Sequence, residues 1–231
     1  MDITNMSLII IILIVVGLVI IRYGFEKFLS RAFKSAVVKH IGLTLLLRAN
    51  FLIAFNIALL IIFRLLKIEL FSFSQIKNGL TLLAIGVGLS LIVAALSIMA
   101  IKAGYGKGYE TFASTSSLNK WLTLVTFLLF VGLSEDLFFI GLIQNILTPY
   151  LGWWAILIYL FIFIVYHYAN VLSGVEDKKE FLGTLPIRLI VSSLLALSFY
   201  LTRSLVYGLI IHNTIDTLSY LALMIAVKKK D

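Results

Sequence analysis

The sequence predicts an all-α polytopic membrane protein: one integral domain of about seven transmembrane helices with an interfacial amphipathic helix. Three observations carry that prediction. The 231 residues are 61% hydrophobic and only 13% charged, where soluble domains carry about 25% charged residues. Mean hydropathy is +1.10, far more apolar surface than a soluble fold could hide. The apolar runs do not alternate with polar residues, which argues against a transmembrane β-barrel. Cysteine is absent, which removes disulfides, thiolate metal sites, a cysteine nucleophile and thiol lipidation from consideration.

A helix crossing about 30 Å of hydrocarbon needs roughly 20 residues. The candidate spans, in order, are Ser7 to Ile21, Ala49 to Leu66, Gly79 to Ile101, Trp121 to Leu147, Leu151 to Asn170, Ile187 to Leu201 and Ser204 to Val227. The first is short, but Asp2 precedes it and no small-x-small site follows, so it reads as a retained helix and not a cleaved signal. Between spans 1 and 2, Phe25, Phe28, Leu29, Ala32, Phe33, Ala36 and Val37 recur at helical steps, with Lys27, Arg31 and Lys34 on another face. This pattern predicts a helix at the inner membrane interface with its basic face toward anionic lipid. After span 3, Gly104, Gly106 and Gly108 alternate, yet no Gly-Lys-Ser/Thr follows, and the stretch reads as a loop with no phosphate-binding role.

The net charge of +8 follows from topology. Most Lys and Arg residues, from Arg22 to Arg48, then Lys102 to Lys120, Lys178 to Arg188 and Lys228 to Lys230, fall in connections on one side of a seven-span chain. Only Arg64, Lys67, Lys77 and Arg203 fall on the other. The positive-inside rule therefore places the N-terminus outside and the C-terminus in the cytoplasm, and no nucleic-acid partner is implied. An eighth span would reverse one end.

Chemically the chain divides at about residue 120. Residues 1–120 read as scaffold helices with almost nothing ionisable inside the spans, and residues 121–231 read as the core that carries the site. Glu135, Asp136 and Asp216 fall within spans, as do His167 and His212. An acidic residue at mid-span costs roughly 2.5 to 3.5 kcal/mol, so such groups must pair, take up a proton or line a wet cavity, and each of these draws them together. His212 and Asp216 are one helical turn apart on one face, as are Phe163 and His167. Glu135 and Asp136 are adjacent and diverge by about 100°, which predicts that only one, Glu135, faces the shared cavity. Asn56, Asn145, Ser192 and Ser193 read as interhelical hydrogen-bonding groups.

Three chemistries suit such a cluster. Histidine and carboxylate can hold Zn²⁺, but there is no His-Glu-x-x-His pair, so the expectation is of no cofactor. An acid-imidazole chain can also carry protons. Acid-base chemistry on a carbonyl uses every part: a buried Glu as base, a His to orient water and a second polar pair to hold negative charge.

The run Glu135-Asp136-Leu137-Phe138-Phe139-Ile140, then Phe163-x-x-x-His167, then His212-x-x-x-Asp216 resembles the three ordered motifs of the CAAX protease and bacteriocin-processing family, also called the Abi family. Those motifs are Glu-Glu-x-x-x-Arg, Phe-x-x-x-His and His-x-x-x-Asn/Asp, each on its own transmembrane helix. The resemblance implies that Glu135 and His167 activate water to attack a peptide carbonyl, with His212 and Asp216 stabilising the oxyanion and Asp136 and Phe163 in support. It implies membrane-tethered peptides, lipoproteins or lipidated tails as substrates, and a bacterial cell membrane as the setting. Two departures stand out: Asp136 replaces the second Glu, and Ile140 replaces the Arg, so a buried ion pair has lost its cation. An ionised Asp216 would orient His212, whereas a protonated one could donate to an oxyanion. The same parts suit acyl transfer to a lipoprotein amine, and the lost Arg suits a non-catalytic immunity, regulatory or scaffolding role.

Overall fold

The computed structural model describes residues 7–33, 40–103, 116–172 and 177–227. Among them every regular element is helical. The long helices are α1 (Leu8–Ala32), α2 (Ile41–Ile62), α3 (Ile76–Lys102), α4 (Ser117–Leu151), α5 (Trp154–Leu172), α6 (Lys178–Thr202) and α7 (Val206–Val227), with a short 3₁₀ turn at Ile68–Phe71 between α2 and α3. Six of them are long and apolar enough to cross a membrane, and α5 is a shorter apolar helix. The fold is an all-α polytopic membrane bundle, as the composition predicts.

The first two elements differ from the sequence expectation. No helix break separates span 1 from the amphipathic stretch: α1 runs unbroken from Leu8 to Ala32, so residues 25–32 are its last turns and not a separate interfacial helix. Its lower end packs on α2 through rings, with Phe25 and Phe55 centroids 4.6 Å apart. The long α1 also carries Arg22 into the bundle, where it is 1% exposed. Arg22 is therefore no loop cation, and the expectation that spans 1 to 3 hold almost nothing ionisable is corrected by this residue. Lys34, Ala36, Val37, the Gly104–Gly108 loop and Lys228–Lys230 lie outside the described residues.

The later helices begin where their sequences provide caps. Ser116 Oγ accepts from Asn119 N at the start of α4. Asp177 accepts from Glu180 N at 2.7 Å at the start of α6, within an Asp-x-x-Glu run. Arg203, at φ 56°, closes α6 in the left-handed region, and the chain turns directly into α7.

At the centre is α4. Leu137, Phe138, Phe139, Ile140, Leu142 and Ile143 are at most 1% exposed and form the middle of the main apolar core. Ile140 thus sits in dry surroundings where an arginine would need a partner. Outward, Ile9, Leu13 and Ile20 of α1 remain 65% or more exposed, as lipid-facing positions do. The most extensive helix pair is α3 with α7. Gly86 permits that approach, since a Cβ there would overlap the Ile211 side chain beside His212.

Candidate active site

Helix α4 is not regular. Two π-helical turns, Phe127–Val131 and Phe139–Gln144, bracket a seven-residue α-helical stretch, Gly132–Phe138, that carries Glu135 and Asp136. A π turn widens the helix and leaves backbone groups for other partners, and such turns recur at functional sites. Here Gly132 N donates to Asn213 Oδ1 of α7 at 3.0 Å. At the same end of the stretch, Ser134 O accepts from Asn56 Nδ2 of α2 at 2.7 Å and from Arg22 Nη2 of α1 at 3.3 Å. The backbone turn before Glu135 is thereby tied to three other helices.

The predicted residues converge. Glu135 Oε2 lies 3.8 Å from His167 Nε2 of α5 and 3.8 Å from His212 Nε2 of α7. Asp216 Oδ2 lies 3.7 Å from the same His212 Nε2. The side chains of Glu135, Asp216 and His167 keep 23%, 25% and 18% of their surface accessible, so the cluster is partly open to a small molecule such as water.

Asp136 has a partner that the sequence reading does not give it. It is shut off from the accessible part of the cluster, where Glu135 stands, and its Oδ1 accepts a 2.9 Å hydrogen bond from His212 Nδ1, with the residue 1% exposed. The two adjacent carboxylates do diverge, but the His212 ring sits between them and meets one with each nitrogen. A divergence of about 100° suits the opposite nitrogens of one imidazole. The hydrogen bond that orients His212, one of the two roles open to Asp216 in the sequence, comes from Asp136.

His167 is fixed from its own helix. Its Nδ1 donates to Phe163 O at 2.9 Å, which sets the tautomer and leaves Nε2 facing Glu135. The Phe163 ring lies 4.1 Å from the imidazole, and Tyr159 and Phe139 pack on Phe163 in turn. Each link is a side chain with restricted rotamers, so the imidazole is held by packing as well as by its hydrogen bond.

The site also contains residues that motif reading misses. Arg22 and Asn56 are both at most 1% exposed, and Arg22 Nη1 donates to Asn56 Oδ1 at 3.4 Å. Arg22 stacks over the Phe138 ring at 5.5 Å and lies within electrostatic range of Glu135. Arg188 of α6 is within range of Glu135 and His167 as well. Both arginines appear to sequence counting as topology signals because their neighbours are loop cations. Asn56 does form the expected interhelical bond, whereas Ser192 bonds back to Arg188 O in its own helix. Among the described residues no group of three or more His, Cys, Asp or Glu side chains is gathered as metal ligands are.

A membrane-embedded helical bundle with two imidazoles and three carboxylates drawn to one point defines the class: an integral membrane protein with an acid-imidazole site. Residues 117–218 match the family model described as Type II CAAX prenyl endopeptidase Rce1-like. That region contains α4, α5, α6 and the three motifs, so the family model falls on the same stretch as Glu135-Asp136, Phe163-x-x-x-His167 and His212-x-x-x-Asp216. Neither a curated protein nor a solved structure matches the chain.

Proposed function

We propose that the protein is an intramembrane peptidase that hydrolyses a peptide bond of a membrane-tethered, lipidated peptide or lipoprotein without a metal. The observation that carries the reading is the position of Glu135 Oε2, 3.8 Å from each of two imidazole Nε2 atoms. That separation is too long for a direct hydrogen bond and suits a water held between carboxylate and imidazole. The matched family, described as prenyl endopeptidases, supports the same chemistry.

In this reading a water hydrogen-bonded to His167 Nε2 gives its proton to Glu135 as its oxygen bonds to the peptide carbon. The carbonyl electron pair moves onto oxygen, where a His212 imidazolium donates through Nε2-H. Asp136 holds the opposite nitrogen and so aims that donor. Asp216 is the second polar group beside the developing charge. When the tetrahedral intermediate collapses, the C–N bond breaks and the proton on Glu135 passes to the leaving amine. His167 lies near the end of α5 that adjoins the start of α6, which the positive-inside reading assigns to the cytoplasmic side.

The test uses the full chain in liposomes with a farnesylated peptide that ends three residues after the modified cysteine. Mass spectrometry should find a released tripeptide and a prenyl-cysteine carboxylate, with one water added across the pair. An intact peptide together with acylated amine products contradicts hydrolysis.

A further inference from the structure

We propose that Arg22 is a positioning residue for the site: with Asn56 it clamps the Ser134 carbonyl and so fixes where the Glu135 carboxylate stands. The three groups close a triangle. Asn56 Nδ2 and Arg22 Nη2 both donate to Ser134 O, at 2.7 and 3.3 Å, and Arg22 Nη1 donates to Asn56 Oδ1 at 3.4 Å. Ser134 immediately precedes Glu135, so the clamp acts on the peptide unit that carries the base.

A regular helix would not need it. Ser134 lies three residues beyond one π turn and five before the next, in a stretch whose backbone register is loosened on both sides. An unclamped carboxylate there could swing between His167 and His212, which stand on different helices. A cation inside an apolar bundle is expensive and persists where it is paired or functional. Arg22 is held by its two hydrogen bonds and by the Phe138 face. The planar guanidinium fork reaches two acceptors at once, which a lysine ammonium on its flexible stem cannot do in the same geometry.

The inference builds on the peptidase reading only for its kinetic consequence, and the experiment separates the two. The full chain, with isotope-labelled imidazole nitrogens, is reconstituted in lipid nanodiscs and read by NMR. Three histidines are present, and His40, at the start of α2 and outside the cluster, is the internal control. Arg22→Met should displace the Nε2 signals of His167 and His212 and leave His40 in place; Arg22→Lys should displace the same two by less. If either variant folds with wild-type signals at His167 and His212, or moves His40 equally, the clamp is refuted. If Arg22→Met does not insert, Arg22→Lys alone decides by the same criterion. On the farnesylated peptide, Arg22→Met should lower kcat by about 100-fold, the scale of a misplacement of about 1 Å, with KM little changed. Should the wild type fail to cleave that peptide, the peptidase reading falls while the imidazole signals still judge the clamp.

Discussion

His212 Nδ1 and Asp136 Oδ1 are 2.9 Å apart, and the carboxylate that holds this ring is the residue next to the one facing its other nitrogen. Gly208 of α7 faces Asp136 there: a Cβ on it would stand 4.0 Å from Asp136 Oδ2, an ordinary van der Waals contact.

Asp136→Asn tests that relationship. The amide has the same shape, but it can present either an acceptor or a donor to His212 Nδ1 and carries no charge to hold an imidazolium. We expect kcat/KM on the farnesylated peptide to fall by on the order of 100-fold or more, with thermal stability in detergent close to that of the wild type. Unchanged kcat/KM would remove Asp136 from the machinery.

Gly132→Ala tests the tie between α4 and α7. A Cβ at 132 would collide with Asn213 Oδ1 and press on the His212 ring. Overpacking at such a contact costs about 1 to 3 kcal/mol, and the bond from Gly132 N to Asn213 would be strained with it. The expected outcome is a lower Tm together with lower activity, measured on the purified protein in detergent. A Gly17→Ala change, with open space around the Cβ, should leave both unaltered.

The orientation is open to a direct reading because the chain has no cysteine. Single changes Lys178→Cys and Arg203→Cys lie at opposite ends of α6. In intact cells a membrane-impermeant maleimide should label Arg203→Cys, and should reach Lys178→Cys only after permeabilisation. The reverse pattern would place the C-terminus outside.

The fold class was legible because apolar runs of span length have few alternative structures. The convergence of Glu135, His167, His212 and Asp216 was legible because ionisable groups in lipid have to meet something. Three features were not. The end of span 1 was misplaced because Arg22 resembles the start of a basic loop, and only its contacts with Ser134 O and Asn56 show that it faces inward. The partner of Asp136 was missed because helical angles describe one helix alone, whereas the His212 ring enters from α7 between the two acids. The π turns around Glu135 leave no mark in the apolar pattern, since Phe127–Val131 and Phe139–Gln144 read as ordinary membrane helix.

In the proposed mechanism Glu135 acts as the base. Glu135→Gln keeps the volume and hydrogen-bonding shape of the side chain and removes its capacity to take a proton at neutral pH. The decisive measurement is single-turnover cleavage of the farnesylated peptide by wild-type and Glu135→Gln protein in liposomes, with insertion and Tm checked for both. With Glu135 as the base, the variant folds and inserts but its cleavage rate falls by about 1,000-fold or more, the scale of a positioned base together with the water it orients. A Glu135→Gln protein that cleaves at the wild-type rate would contradict that role.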